Sequence, residues 1–254
     1  MRILCTNDDG IHAPGLKSLE IIARQLSDDI YVVAPETDQS GVSHSLSLND
    51  PLRLREISDR HFAVKGTPTD CVIMAVRKIL DGKRPDLILS GVNRGQNVAE
   101  DVSYSGTIAA AIEGTMLGVP SIALSQAYGP GGRNAVKWAC AEAHGAAVIR
   151  KVMQQEIPDD TLININFPDC EPTEVAGVAV TNQGRRNQEF LRIDERQDGR
   201  GNPYFWIGFA KAQTTPGHGT DLMAIRDRKI SVTPLRLDMT DEPTLTKFAL
   251  AFGR

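Results

Sequence analysis

The sequence predicts an α/β fold: a mostly parallel sheet with helices on both faces, then a β-rich extension and a terminal helix. Three observations predict it. Short apolar runs alternate with stretches of helical periodicity through residues 1–170, as strand–helix–strand units do. Beyond residue 170 the apolar runs follow one another without helical stretches between them. At 254 residues, 41% hydrophobic and 24% charged, the chain has the length for a substantial core and an ordinary globular composition.

The elements follow in order. Arg2–Thr6 reads as a buried strand. Residues 15–26 are helical, with Leu16, Leu19, Ile22, Ala23 and Leu26 on one face. Residues 31–34 form a second strand. Thr67 caps a helix over 68–80, with Pro68 at its first position. A strand over 86–90, an alanine-rich helix over 105–117, a strand over 121–124, a long helix over 134–153 and a strand over 162–165 complete the core. Strands are then expected over 175–182, 204–210 and 230–235, and a helix over 241–252. The polar, arginine-rich residues 183–203 are too long for a structureless connection and predict a projecting hairpin or loop. Residues 1–170 thus read as a core, and 171–254 as an extension within the same overall domain.

Several function classes are excluded early. The net charge is −4, from 28 basic and 32 acidic residues, so no broad nucleic-acid footprint exists. The cysteines, at 5, 71, 140 and 170, lack zinc or redox spacing and read as reduced, buried thiols. The N-terminus turns acidic before a signal-peptide core forms, and the longest apolar run, from Cys71 to Val76, is too short to span a bilayer. A cytoplasmic location and no membrane partner are expected. The nonapeptide GIHAPGLKS from Gly10 is no phosphate-cradling P-loop, because Leu16 separates the second glycine from Lys17. The dinucleotide fingerprint GxGxxG is absent.

Ligands bind parallel sheets at the carboxyl ends of the strands. There the first strand runs into Asn7-Asp8-Asp9-Gly10. Two carboxylates about 4 Å apart would repel by about 4 kcal/mol at an effective dielectric near 20, which a hard divalent cation would offset. A solvated Asp-Asp-Gly turn is the plainer alternative. The second strand leads into a loop dense in hydroxyls that contains Gln39-Ser40-Gly41 and His44. The third leads into Gly91-Val92-Asn93-Arg94-Gly95-Gln96-Asn97, where asparagine oxygens suit magnesium or manganese and amides suit phosphate, or where tight turns are simply needed. Ser105-Gly106-Thr107 opens a helix, either as an ordinary N-cap or as an anion site of free N–H groups. Together the loops suggest a metal beside a phosphate pocket, the arrangement for phosphate-ester hydrolysis.

These residues have a specific likeness. Thr6-Asn7-Asp8-Asp9-Gly10, Gln39-Ser40-Gly41, Lys65-Gly66-Thr67-Pro68-Thr69-Asp70, Ser90-Gly91-Val92-Asn93-Arg94-Gly95, Tyr104-Ser105-Gly106-Thr107 and Ser231-Val232-Thr233-Pro234-Leu235 resemble the stationary-phase survival protein SurE family, in order and over nearly the whole chain. The resemblance implies a Rossmann-like core and a metal-dependent phosphomonoester hydrolase acting on nucleoside 5′- and 3′-monophosphates, with short polyphosphate as a further substrate. It implies one divalent ion per subunit, Mg2+ or Mn2+, on Asp8, Asp9, Ser40 and Asn93. Asp8, Asp9 and Asn93 are the implied catalytic residues, and Asn97, Ser105, Gly106 and Thr107 the substrate contacts. A homodimer or homotetramer sharing its C-terminal elements is implied too. The sequence departs from the pattern at Asp227-Arg228-Lys229, where a glycine and an aromatic are expected, and in the arginine-rich stretch from Arg185 to Arg200.

The expected reaction is in-line attack of water on a phosphomonoester, with an aspartyl-phosphate route through Asp8 or Asp9 as the variant. His12 and His44 read as polar contacts near the site. His218 and Asp221 could close over it from the second half or from a partner subunit. The competing reading is a non-catalytic nucleotide sensor using the same pocket. An RNA-binding role for Arg185, Arg186, Arg192, Arg196 and Arg200 ranks behind a solvated or subunit-contacting hairpin.

Overall fold

The computed structural model describes residues 1–80, 82–187, 191–209 and 215–253. The strands are β1 (Arg2–Thr6), β2 (Asp29–Pro35), β3 (Arg53–Ser58), β4 (His61–Lys65), β5 (Leu87–Arg94), β6 (Ser121–Gln126), β7 (Thr161–Phe167), β8 (Val178–Val180), β9 (Leu191–Gln197), β10 (Pro203–Phe209) and β11 (Ile230–Arg236). The helices are α1 (Pro14–Arg24), α2 (Pro68–Met74), α3 (Asp101–Tyr104), α4 (Gly106–Met116), α5 (Trp138–Met153), α6 (Asp221–Arg226) and α7 (Glu242–Ala251).

Nine strands form one sheet in the order β3-β4-β2-β1-β5-β6-β7-β11-β8. The central strands are parallel, and β3 and β11 run antiparallel to β4 and β7. Successive side chains of β1 go to opposite faces. Ile3 and Cys5 join Leu16, Leu19 and Ile22 of α1 and Ile149 of α5 on one face. Leu4 joins Val72 of α2, Ile88 of β5 and Ala110 of α4 on the other. Each fully buried Leu, Ile or Val side chain contributes about 1.5–3 kcal/mol, which drives this three-layer packing.

Local signals set the helix starts. Pro14 and Pro68 supply a preset φ at the first turns of α1 and α2. Thr67 and Asp70 form a reciprocal capping box on α2, at 2.8 and 3.2 Å. The chain moves from β1 outward to β2 and β4, then returns to β5 on the other side of β1. That reversal opens a crevice at the carboxyl ends of β1 and β5, the place where ligands bind such sheets.

The α/β class expected from the sequence is what the structure shows, with differences in detail. The hairpin of β3 and β4 was not foreseen, because β3 is exposed at every position and so lacks alternating burial. The helix expected over 68–80 is α-helical only to Met74 and continues as a π-helical turn, Ala75–Ile79. Helix α5 begins at Trp138 rather than 134, since Gly132–Asn134 form a separate 3-10 turn. The strand expected over 175–182 shortens to β8, and α3 and α6 are additional. Strands β9 and β10 form the anticipated hairpin as a separate antiparallel pair. Residues 188–190 of that stretch, and residue 210 of the strand expected there, lie outside the described residues. All four cysteines are free and buried. Among the described residues, no helix is long and apolar enough to cross a membrane.

Candidate active site

The crevice collects the sequence-predicted residues at the end of β1. Asp8 is buried, at 4% exposure, and Asp9 is half-buried. Gly10, at φ 100°, makes the turn that follows, and its backbone lies against that of Thr37. Asn7 braces this turn by donating to Gly10 O at 2.9 Å. The loop after β2 is pinned alongside, with Gln39 N–H donating to Asp8 O at 2.8 Å. Ser40 is the next residue of that pinned loop. It is exposed, and its hydroxyl donates to Asp38 Oδ1 at 2.6 Å, which leaves the lone pairs of Oγ free.

Strand β5 contributes through an irregularity. Its register with β6 shifts between Ser90 and Asn93, an extra residue that re-aims the strand end. Arg94 N–H then donates to Asp9 Oδ2 at 3.1 Å, and Asn93 is the residue before it on the strand. Asn93 Nδ2 donates to Gly95 O at 2.8 Å, so its carbonyl oxygen is directed away from that bond.

Helix α4 closes the opposite side. Ser105 is its N-cap and accepts from Ile108 N–H at 3.1 Å. Ala109 N–H bonds Ser105 O, so the N–H groups of Gly106 and Thr107 precede the first intrahelical bond and face outward at the positive end of the helix. Thr107 donates its hydroxyl to Asp8 Oδ1 at 2.6 Å. A methyl at Gly106 would stand 2.8 Å from Asp8 Cβ, so only glycine lets the helix start approach this closely.

The electrostatics are those of an anionic pocket that nearby arginines compensate only in part. Burial, opposed by the Thr107 hydrogen bond and reinforced by the neighbouring Asp9 and Asp38 charges, pushes Asp8 up to about 7. Burial also raises Asp9, against the Arg94 N–H and charge. The buried oxygens Thr6 Oγ1, Asn7 Oδ1 and Ser90 Oγ have no partner among the described residues, and Thr6 and Ser90 stand opposite one another on β1 and β5. Two carboxylates, an amide oxygen, a hydroxyl and nearby orphaned oxygens suit a hard, oxygen-seeking divalent cation. Among the described residues no group of three His, Cys, Asp or Glu is placed to hold a metal, so amide and hydroxyl oxygens would have to complete the set.

The expected substrate contacts divide. Gly106 and Thr107 stand against Asp8, but the Thr107 hydroxyl is spent on that carboxylate. Asn97 is held further along the sheet edge, where its Nδ2 donates to Ser125 Oγ at 2.9 Å, and no hydrogen bond among the described residues ties it to Asp8 or to α4. Its second amide N–H has no partner among the described residues.

His12 and His218 are exposed and make no hydrogen bond among the described residues. His44 pairs with the buried Glu113 of α4 at 3.0 Å. Asp221 is fully buried and bonds backbone N–H groups rather than covering the site. Asp38 escaped the sequence reading, being one acidic residue in a polar loop. Within the departing Asp227-Arg228-Lys229, Arg228 adopts φ 55°, a left-handed backbone that glycine accommodates most readily.

Comparison with known proteins identifies the family. The family described as "Survival protein SurE" matches residues 3–190. The chain is 72% identical over 253 residues to a protein named 5'-nucleotidase SurE from Methylobacterium radiotolerans, covering 100% of both. It is 65% identical over 251 residues to one of the same name from Methylocella silvestris, covering 99% of each. The crystal structure of the SurE protein from Aquifex aeolicus superposes with a TM-score of 0.85 at 38% identity, covering 99% of both chains. On this match of family, full-length sequence and fold, the chain belongs to the survival protein SurE family.

Proposed function

We propose that the chain is a divalent-metal-dependent phosphomonoester hydrolase that releases phosphate from nucleoside 5′-monophosphates, and also from 3′-monophosphates and short polyphosphate. A relative 72% identical over the full length carries the name 5'-nucleotidase SurE, which supports the nucleotide substrate. The observation that carries the reading is the junction of Asp8 with the open N-terminus of α4, an anion-repelling carboxylate beside an anion-binding helix start. A cation between the two would let a phosphate bind beside the ionised carboxylate.

Asp8, Asp9, Asn93 and Ser40 would hold Mg2+ or Mn2+. When bound, that ion lowers the pKa of a coordinated water and offsets phosphoryl charge. The N–H groups of Gly106 and Thr107 hold phosphoryl oxygens in the charge-accumulating geometry, and the free N–H of Asn97 reaches another. The Thr107 hydroxyl keeps Asp8 in one rotamer. Water is the nucleophile in this reading, because both carboxylates are engaged.

Phosphate release from 5′-AMP and 3′-AMP, with manganese, magnesium or chelator, tests it. Metal-dependent release that is lost in Asp9→Asn supports the reading. A folded protein that binds nucleotide and releases nothing with any divalent ion would make it a sensor.

The active form is an oligomer built through the C-terminal elements. Ile193 and Ile207 of the hairpin are 70% and 76% exposed, and Phe248 of α7 is 60% exposed, apolar surface that a partner subunit would cover. The free, buried thiols suit a reducing, cytoplasmic setting.

A further inference from the structure

Residues 97–101 leave β5 and lead to α3, and their backbone is bonded by side chains from far along the chain. Asn97 N–H donates to Asn166 Oδ1 at 2.8 Å. Asn97 O accepts from Asn164 Nδ2 at 2.8 Å and from Asn166 Nδ2 at 3.2 Å. Ala99 N–H donates to Asp221 Oδ2 at 2.9 Å, and Ala99 O accepts from Gln183 Nε2 at 2.8 Å. Arg186 bonds Val98 O at 3.3 Å and pairs with Asp101 at 2.8 Å.

The donors and acceptors of this clamp are costly residues. Asn164 and Asn166 are fully buried in the interior of β7, and Asp221 is fully buried at the start of α6. Apolar residues would fill a strand interior without the desolvation of two amides. Their bonds converge on one short segment. That segment includes Ala99 at φ 53°, a left-handed conformation a non-glycine residue keeps only when its surroundings impose it.

We propose that Asn164, Asn166 and Asp221 are positioning residues that hold residues 97–101 as a preset wall of the phosphate pocket, with Asn97 presented at its edge. The inference rests on the phosphomonoesterase reading for the role of Asn97. It gives the C-terminal half a part in substrate binding without any contact to substrate. The phosphate wall then costs no ordering when the ligand arrives.

Two variants test it. Asp221→Asn keeps the shape of the side chain but has one acceptor oxygen. That oxygen stays with the two donors at Oδ1, Gly184 and Leu222 N–H, and the amide nitrogen turns against Ala99 N–H. Asn166→Ala removes the acceptor of Asn97 N–H. For both, the KM for 5′-AMP and the inhibition constant of inorganic phosphate should rise together by about fivefold or more, with kcat changed by less than about twofold. A folded variant with unchanged KM and phosphate inhibition overturns the proposal. So does a fall in kcat at constant KM, which places the effect on the chemical step or on the fraction of folded enzyme rather than on phosphate binding. If the wild type turns over no substrate, the phosphatase reading fails by itself. Equilibrium binding of 5′-AMP to the same three proteins then decides the clamp: weaker binding by the variants supports it, and equal binding overturns it.

Discussion

Thr107 donates its hydroxyl to Asp8 Oδ1 across 2.6 Å, and this one bond ties the start of α4 to the loop after β1. Both residues are buried, so water cannot replace the donor. The bond also orients the carboxylate that carries the greatest desolvation in the site.

Thr107→Val removes the hydroxyl at constant shape. A hydrogen bond to a charged group is worth about 1.5–3 kcal/mol, so kcat/KM for 5′-AMP should fall about tenfold to a hundredfold. Thr107→Ser should keep most of the activity. Steady-state kinetics of the pair checks this, and equal rates in the two variants would contradict it.

Gly106→Ala improves helix propensity but drives a methyl to 2.8 Å from Asp8 Cβ and 3.1 Å from Pro68 Cγ. Activity should drop about tenfold or more through misplacement of Asp8, while the unfolding temperature moves by only a few degrees. Parallel assays of turnover and thermal unfolding compare the two losses.

The chelated protein should lose stability as pH rises. Burial raises Asp8 from 3.8 to about 7, so between these values the folded state binds a proton that the unfolded state has released. The contribution is fully present below about 4 and lost as pH passes about 7. In chelator, the unfolding temperature of the wild type should fall more steeply from pH 5 to pH 8 than that of Asp8→Asn. Parallel slopes would show that Asp8 does not titrate in this range.

The apolar hairpin and terminal helix should govern assembly. Ile193→Lys with Phe248→Lys changes side chains that are 70% and 60% exposed within the chain, so the subunit fold should survive. Light scattering should show a smaller particle than the wild type. A monomeric wild type at micromolar concentration would remove the basis for the expectation.

The strand ends and their loops were legible from sequence because buried strands are continuous apolar runs and the site lies where they stop. Asp8, Asp9, Gly106 and Thr107 meet through local turns and a helix start, each with a recognisable signature. The hairpin of β3 and β4 was not legible, since its outer strand carries Arg53, Arg55 and Glu56 in solvent and shows no alternation in burial. The clamp on Asn97 was hidden for another reason. Its partners lie 69 and 67 residues away in sequence, and Ala99 meets Asp221 at a separation of 122. The one available hint was polar, alternating Asn164 and Asn166 inside a strand otherwise made for the core.

Among the described residues, strand β8 pairs with the sheet only through β11, and β11 fills the gap beside β7. A ribosome must therefore deliver residues through 236 before β7 gains its outer neighbour. Until then the nascent chain carries an open sheet edge, and before residue 221 it also lacks the carboxylate that seats Ala99. Premature termination before β11 is complete thus yields no weakened enzyme but an adhesive fragment, a ready target for chaperones and proteases.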